Sequence, residues 1–187
     1  MRTMTRARLL AAIVASNLAA SVCGATDARL IDQFGHPLDA HDLAGHWLLV
    51  YFGYRSCPEV CPAALTKMSA VLDRLGPGAD SILPLFVSLD PRDSPAQLRD
   101  FASRFYPRLR ALSGSPAAVA DAAQTFGVPW QRRASTDYID HGMLMYLSNP
   151  DGRIVETFHP QQSVAELAGQ IQSRLTDQVR LTEKMQR

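Results

Sequence analysis

The sequence predicts an α/β fold with a mixed central sheet, and three features of the chain support this prediction. Two continuous apolar runs, Trp47–Gly53 and Ile82–Leu89, are typical of strands buried on both faces of a sheet. Each run is followed by a segment in which apolar residues recur at helical spacing. Near the end, Asn149–Gly152 forms a turn signal between two apolar runs, which predicts an antiparallel hairpin. Alternating strands and helices favour a parallel core, and the hairpin adds an antiparallel edge.

The length and composition of the chain are those of one globular domain. It has 187 residues, of which 47% are hydrophobic and 20% are charged, so it can bury a core without disulfide bonds. The net charge of +1 and the lack of basic patches with interleaved aromatic residues argue against nucleic-acid binding.

The first 25 residues have the pattern of an export signal. A positive start precedes the mostly apolar segment 9–22, which is shorter than the roughly 20 residues of a membrane-spanning helix. We therefore expect residues 1–25 to be a signal peptide or N-terminal membrane anchor and residues 26–187 to form the exported domain. Cleavage after Ala25, lipidation of Cys23 and an uncleaved anchor stay open as alternatives. The positive residues at the start are Arg2, Arg6 and Arg8.

The first half of the domain predicts two helices that each follow a strand. Turn signals in residues 29–45 predict a small hairpin that leads into the strand Trp47–Gly53. The helix after this strand ends at Gly76, and a second helix follows the strand Ile82–Leu89. The apolar faces of the two helices consist of Leu65, Met68, Leu72 and Leu75, and of Leu98, Phe101, Ala102 and Phe105.

The second half predicts a short strand, a helix, a hairpin and a last helix. A strand near residues 109–112 precedes a helix capped by Ser115 and closed by Gly127. The hairpin joins strands at residues 143–148 and 153–158, and the last helix opens with a capping box at Ser163–Glu166. This order of elements is that of a thioredoxin-like fold with an extra N-terminal hairpin and an inserted strand–helix unit.

The sequence Cys57-Pro-Glu-Val-Cys61-Pro62 lies between a buried strand and an amphipathic helix. Pro58 and Pro62 disfavour helical geometry in the cysteines before them, and Pro62 suits a first helical turn. We expect Cys57 in the loop and Cys61 at or near the helix N-terminus, where the positive end of the helix dipole stabilises a thiolate.

The spacing of the two cysteines helps to distinguish between redox, structural and metal-binding roles for the pair. Three residues lie between Cys57 and Cys61, whereas two would indicate a thioredoxin oxidoreductase. In an oxidising compartment the pair could form a redox-active or a structural disulfide. Two thiolates with an imidazole suit Cu(I), while a structural zinc site needs a fourth ligand that the sequence does not offer.

Position decides among the histidines that could complete such a site. Sites of parallel sheets form beyond the carboxyl ends of the strands, where the cysteine loop lies. His141 lies in the approach to the next core strand, which packs near that loop in a thioredoxin-like topology. The other histidines are interpreted as solvated: His36, His41, His46 and His159.

The remaining candidates have simpler structural interpretations. Met143 and Met145 have thioethers that favour Cu(I), but their apolar strand favours a role in the core. Asp140 is a weaker candidate, and Asp90 and Asp93 are interpreted as part of the cap of the second helix. The pair Arg132-Arg133 is interpreted as a solvated loop.

Four ordered segments of the chain together form a specific pattern. They are Phe52–Pro62 with both cysteines, Val87–Pro95, the pair Leu112–Pro116 and Phe126–Val128, and Asp140-His141 followed by Tyr146-Leu147 and Asp151-Gly152. In these segments the chain resembles the Sco/SenC copper chaperones, and the resemblance runs from about residue 29 to about residue 172.

This resemblance implies a thioredoxin-like fold that binds one copper ion through Cys57, Cys61 and His141. It implies an exported protein in the periplasm or on the outer face of the inner membrane, which prepares the dinuclear copper centre of cytochrome c oxidase. Its partners would be the copper-receiving oxidase subunit and other copper chaperones or thioredoxin-like reductants. Whether Cu(I), Cu(II) or both are carried stays open.

The residues leave an enzymatic alternative open beside the metallochaperone. A thiol–disulfide reductase would use Cys57 and Cys61 to keep cysteines of a partner reduced, and it would need no histidine ligand. A peroxidase needs one supported nucleophilic cysteine, which the paired cysteines and His141 fit less well.

Overall fold

The computed structural model describes residues 29–38, 40–134 and 136–185. The predicted signal segment 1–25, with Cys23, lies outside the described residues. In the described ranges no helix combines the length and apolar character needed to cross a membrane.

The described chain contains eight strands, five α-helices and one 3-10 helix, Gly76–Ser81. Strands and helices alternate in the first part of the chain, and four successive strands precede the last helix. The strands are β1 (Leu30–Asp32), β2 (Trp47–Gly53), β3 (Ile82–Ser88), β4 (Arg110–Gly114), β5 (Trp130–Arg132), β6 (Ile139–His141), β7 (Met145–Ser148) and β8 (Ile154–Phe158). The helices are α1 (Ala40–Leu43), α2 (Val60–Leu75), α3 (Pro95–Ala102), α4 (Pro116–Thr125) and α5 (Val164–Met185).

Six of these strands form one mixed sheet in the order β1-β4-β3-β2-β7-β8. Strands β2, β3 and β4 are parallel neighbours, and the other pairings are antiparallel. This is the predicted architecture of a parallel core with an antiparallel hairpin at one edge, and the predicted fold class is confirmed.

The predicted N-terminal hairpin is present in a short form. Ile31 in β1 makes an antiparallel bridge to Pro37, and the Asp32 amide donates to the His36 carbonyl at 2.9 Å. The strand β1 also pairs with β4 through Ile31 and Ser113, so the hairpin extends the main sheet on the side away from β8.

The core lies around β2 and β3, as the two continuous apolar runs predict. Every residue of β2 is buried, and in β3 only Leu83 is partly exposed. Pro84 does not interrupt β3, although proline has no amide hydrogen to donate. The pairing of β3 with β4 begins one residue later, at Leu85, so on that side no strand needs a hydrogen bond from position 84. Helix α2 packs against α5 and so covers part of this core.

The helix ends follow local rules, with one correction. Ser115 caps α4 by accepting from the Ala118 amide at 3.2 Å. Ser163 and Glu166 form the predicted capping box at the start of α5. The interpretation of Asp90 and Asp93 as caps of α3 is wrong: Ser94 is the N-cap and forms a capping box with Gln97, and both aspartates make other contacts.

The segment before β7 forms a feature that the sequence does not predict. Strands β5 and β6 pair with each other in a separate two-stranded sheet, in which Trp130 lies opposite His141. This β5–β6 hairpin, residues 130–141, carries His141 to the carboxyl ends of the parallel strands.

Candidate metal centre

The two cysteines lie at the carboxyl end of β2, where the chain turns into α2. The helix begins at Val60, so Cys61 is its second residue and Cys57 lies in the preceding loop. Cys57 is 7% exposed and Cys61 is fully buried. The loop position and the helix position are those that the flanking prolines predict.

Gly53 at the end of β2 leaves room for the Cys61 sulfur. A Cβ atom at this position would lie 2.7 Å from Cys61 Sγ and 3.0 Å from the Phe86 ring. Real Cβ atoms do not approach other heavy atoms so closely, so only glycine allows the strand to pass directly beneath the sulfur.

Both cysteines are thiols, and they interact with each other directly. The Cys61 amide at the start of α2 donates to Cys57 Sγ at 3.4 Å. A free amide of the first helical turn therefore points at the sulfur in the loop and not at the sulfur on the helix. The sequence predicts that the helix N-terminus stabilises a thiolate on Cys61, and this prediction is wrong for that residue: the amide at the helix start donates to Cys57, whose thiolate is the favoured one.

The two thiols have opposite tendencies to ionise. A hydrogen bond from the Cys61 side chain lowers the pKa of Cys57; burial opposes this, and His141 and backbone amides add to the lowering. The same hydrogen bond, followed by burial, raises the pKa of Cys61. The reduced pair is thus one thiolate held by one thiol.

His141 faces the cysteines from the end of β6. Its Nε2 lies 3.8 Å from Cys61 Sγ, although 80 residues separate the two in sequence. Its Nδ1 lies 2.8 Å from the Gly142 carbonyl oxygen. Because a carbonyl oxygen only accepts hydrogen bonds, Nδ1 carries the hydrogen in the neutral imidazole, and Nε2 presents its lone pair towards Cys61.

Two tyrosines that the sequence analysis did not single out form the inner wall of the site. The rings of Tyr51 and Tyr54 meet the His141 ring edge-on, at centroid distances of 6.2 and 5.9 Å. Burial and the neighbouring cysteines raise the pKa of Tyr51, and they raise the pKa of Tyr54 to about 12. Both tyrosines therefore stay protonated and fix the orientation of the imidazole by packing.

An apolar cavity of about 290 Å³ adjoins the site next to Tyr51. Met145, buried as predicted, and Met143, which is 45% exposed, both line it. The interpretation of Met143 as a core residue is therefore wrong, since β7 begins only at Met145 and leaves Met143 in the preceding loop. His159 lies exposed at the same cavity.

The other histidines and charged candidates lie apart from the cysteines or contact other groups. His36 and His46 are exposed as predicted, while the side chain of His41 is outside the described structure.

Asp140 pairs with Arg133 at 2.6 Å, which lowers the pKa of the Asp140 carboxyl. Arg133 is exposed as predicted, but Arg132 lies in β5 and is only partly exposed. Its guanidinium lies 2.7 Å from the buried Asp90, because the β5–β6 hairpin folds back over the loop after β3.

The structure thus brings together Cys57, Cys61 and His141 and leaves the other histidines elsewhere. Within the described ranges, no three His, Cys, Asp or Glu side chains already form a group that could hold a metal ion. The donor set of two sulfurs and one imidazole nitrogen still fits a soft ion such as Cu(I), after small side-chain movements.

The chain matches a known family over most of its length. Residues 24–176 match the model of the SCO1/SenC family. A mitochondrial SCO2 homologue of Danio rerio is 34% identical over 165 residues, which cover 84% of this chain and 59% of the zebrafish protein. An SCO2-like protein of Rickettsia typhi is 33% identical, over 74% of this chain and 71% of its own length. The chain therefore spans less than two thirds of the zebrafish relative but more of the bacterial one.

Solved structures show the same fold. Copper-bound ScoI of Bradyrhizobium japonicum is 36% identical and superposes with a TM-score of 0.70, over 78% of this chain and 95% of that chain. Yeast Sco1 is 29% identical with a TM-score of 0.73, over 80% of this chain and 95% of that chain.

Proposed function

The chain belongs to the SCO1/SenC family, and from this premise we propose that it is an extracytoplasmic copper metallochaperone. It binds one copper ion through Cys57, Cys61 and His141. It delivers the ion to the dinuclear copper site of cytochrome c oxidase or prepares that site to receive it. Copper is the cargo of the protein, and the copper-receiving oxidase subunit is its partner.

The position of the His141 imidazole is the main observation that supports this proposal. The Gly142 carbonyl holds Nδ1 at 2.8 Å, and the free Nε2 faces Cys61 Sγ at 3.8 Å. Disulfide exchange requires two thiols only, so it gives no reason for an imidazole that is oriented in this way. A metal ion that takes two sulfurs and one nitrogen does give such a reason, since an outer hydrogen bond commonly orients a histidine ligand.

An anaerobic Cu(I) titration of the reduced chain against a competing chelator tests the proposal. We expect one equivalent of copper to bind tightly and His141→Ala to weaken the affinity by on the order of 100-fold, because one of three ligands is lost. His46→Ala is the matched control, since His46 is exposed and precedes β2 at the opposite end of the strand. Equal affinities of the wild type and His141→Ala would reject the assignment of the third ligand.

A second sample distinguishes copper binding at the two cysteines from binding elsewhere on the chain. Oxidation to a Cys57–Cys61 disulfide makes both sulfurs unavailable as thiolate ligands, so the oxidised chain should bind no copper until a reductant is added. Stoichiometric binding by the fully oxidised chain would mean that other residues hold the ion.

The pKa of Cys57 is lowered and the pKa of Cys61 is raised. This difference favours a second function, that of a thiol–disulfide reductase. The Cys57 thiolate would attack a disulfide of the partner and release one partner thiolate, and Cys61 would then displace the second. The partner gains two electrons, and Cys57 and Cys61 form a disulfide. In this case His141→Ala should slow the reduction of a model disulfide much less than it weakens copper binding, because His141 makes only a secondary contribution to the lowered pKa of Cys57.

The proposed location follows from the predicted export segment 1–25. Expression of the full chain in a bacterial host, followed by fractionation, would test it. We expect the protein in the periplasm or attached to the inner membrane, and recovery in the cytosol with the first 25 residues intact would contradict the location.

A further inference from the structure

Two aspartates in the loop after β3 are almost completely buried, and each is tied to a different segment of the site. Asp90 is 2% exposed and Asp93 is 5% exposed. A buried carboxylate is costly unless charged or hydrogen-bonding partners surround it. Neither residue caps α3, so the partners of the two carboxylates should explain their burial.

Asp93 holds the loop that carries Cys57. Its Oδ2 accepts from the backbone amide of Arg55 at 2.9 Å, and its Oδ1 accepts from Arg55 Nε at 3.3 Å. Arg55 precedes Cys57 by two residues. Asp93 thus fixes both the backbone and the side chain of the residue at the entry of the cysteine loop.

Asp90 holds the β5–β6 hairpin that carries His141. Its Oδ1 lies 2.7 Å from a guanidinium nitrogen of Arg132 in β5. Burial alone would raise the pKa of Asp90, but hydrogen bonds from Arg92 and the charge of Arg132 hold it lowered, so the carboxyl is ionised. Arg92 also reaches Asp137 in the turn of the hairpin, at 2.8 Å.

Ser88 connects the carboxylate of Asp93 with the backbone of Asp90. Its hydroxyl donates to Asp93 Oδ2 at 2.7 Å and accepts from the Asp90 amide at 3.2 Å. Ser88 is the last residue of β3 and is fully buried. A continuous series of polar contacts therefore runs from the cysteine loop through the end of β3 to the histidine hairpin.

We propose that Asp90 and Asp93 are positioning residues that set the separation of the cysteine pair and His141. Asp90 acts through the β5–β6 hairpin, and Asp93 acts through the cysteine loop. The role of the two residues in copper binding rests on the proposed function, whereas their effect on the two segments does not depend on copper.

Amide hydrogen exchange of the reduced, copper-free chain tests this positioning role directly. The Gly142 amide, which donates to Pro129, reports on the hairpin, and the Cys57 amide, which donates to Tyr54, reports on the loop. We expect Asp90→Asn to accelerate exchange at Gly142 by about tenfold with little change at Cys57, and Asp93→Asn to produce the opposite pattern. Equal acceleration at both amides in both variants, or no acceleration, would overturn the proposal.

A cycle of variants tests whether Asp90 acts on copper through His141. Asp90→Asn should weaken Cu(I) binding by about tenfold in the wild type and cause no further loss when combined with His141→Ala. Asp93→Asn should weaken binding in both backgrounds. An equal loss from Asp90→Asn with and without His141 would show that Asp90 does not act through the histidine. If His141→Ala itself has no effect, the proposed function fails, and the exchange pattern still decides the positioning role.

Two further variants guard against general loss of structure. Asp80→Asn changes an exposed aspartate that lies 3.6 Å from Arg108, outside the network, and should alter neither exchange at the two amides nor copper affinity. If Asp90→Asn does not fold, Arg132→Gln breaks the same contact from the hairpin side and should produce the same pattern at Gly142.

Discussion

At the scale of single residues, the site depends on which atom each hydrogen bond leaves free. The Gly142 carbonyl oxygen accepts a hydrogen bond from His141 Nδ1, so His141 Nε2 is the ring nitrogen that faces Cys61 Sγ. The Cys61 amide donates a hydrogen bond to Cys57 Sγ, so the thiolate forms on the cysteine in the loop. Neither choice can be read from the sequence, because both depend on backbone groups that only the folded loop brings within reach.

The thiolate on Cys57 gives a pH dependence with a defined sign. Its pKa is lowered in the folded chain, so its contribution to stability is fully present above the unfolded value of about 8.5 and is lost as the pH falls towards the folded value. We expect thiolate absorbance in the reduced chain well below about pH 8. This absorbance should disappear in Cys57→Ser and persist in Cys61→Ser, whose hydroxyl can still donate. Thiolate absorbance that develops only above about pH 8 in the wild type would contradict the assignment.

Gly53 gives a second prediction at this scale. In Gly53→Ala the new methyl group would clash with Cys61 Sγ and the Phe86 ring. We expect the free energy of unfolding to fall by about 1–3 kcal/mol, and Cu(I) affinity to fall as the sulfur is displaced. Gly169→Ala in α5 is the control, because a Cβ atom there meets nothing within 4 Å. Wild-type stability and affinity in Gly53→Ala would show that the strand can move away from the sulfur.

At the scale of elements, the sequence predicts best where a local pattern decides the structure. The buried strands β2 and β3 follow from continuous apolar runs, and the starts of α4 and α5 follow from their capping residues. The β5–β6 hairpin could not be predicted, because its strands have three residues each and are held by long-range contacts such as Arg132 with Asp90. The charge of Arg132 on a short polar segment suggested solvent exposure instead.

The capping box of α5 gives a prediction for a whole element. Ser163→Ala removes the hydroxyl that accepts from the Glu166 amide at 3.2 Å, and should lower the free energy of unfolding by about 1 kcal/mol. Copper affinity should not change, since α5 contributes no residue to the site. Ser173→Ala in the middle of the same helix is the control and should not destabilise, because alanine favours the helix more than serine does. Equal unfolding free energies for Ser163→Ala and the wild type would show that the box is energetically neutral.

At the scale of the whole molecule, the sheet brings together segments that are far apart in sequence. The loops after β2 and β3 emerge at the same edge, because these strands are parallel neighbours. The first loop carries the cysteines and the second carries the two buried aspartates. The β5–β6 hairpin closes over this edge and adds His141. The thioredoxin-like order of elements predicts that these segments come together at the carboxyl ends of the parallel strands. The polar contacts that hold the segments there can be seen only in the folded chain.

The most direct test of the three-ligand site is X-ray absorption at the copper edge of the one-to-one Cu(I) complex. The proposed site predicts a first coordination shell of two sulfurs and one imidazole nitrogen in the wild type. In His141→Ala the nitrogen contribution should disappear while both sulfurs remain. A wild-type shell of sulfur alone, or a nitrogen contribution that is unchanged in His141→Ala, would contradict the assignment of Cys57, Cys61 and His141 as the copper ligands.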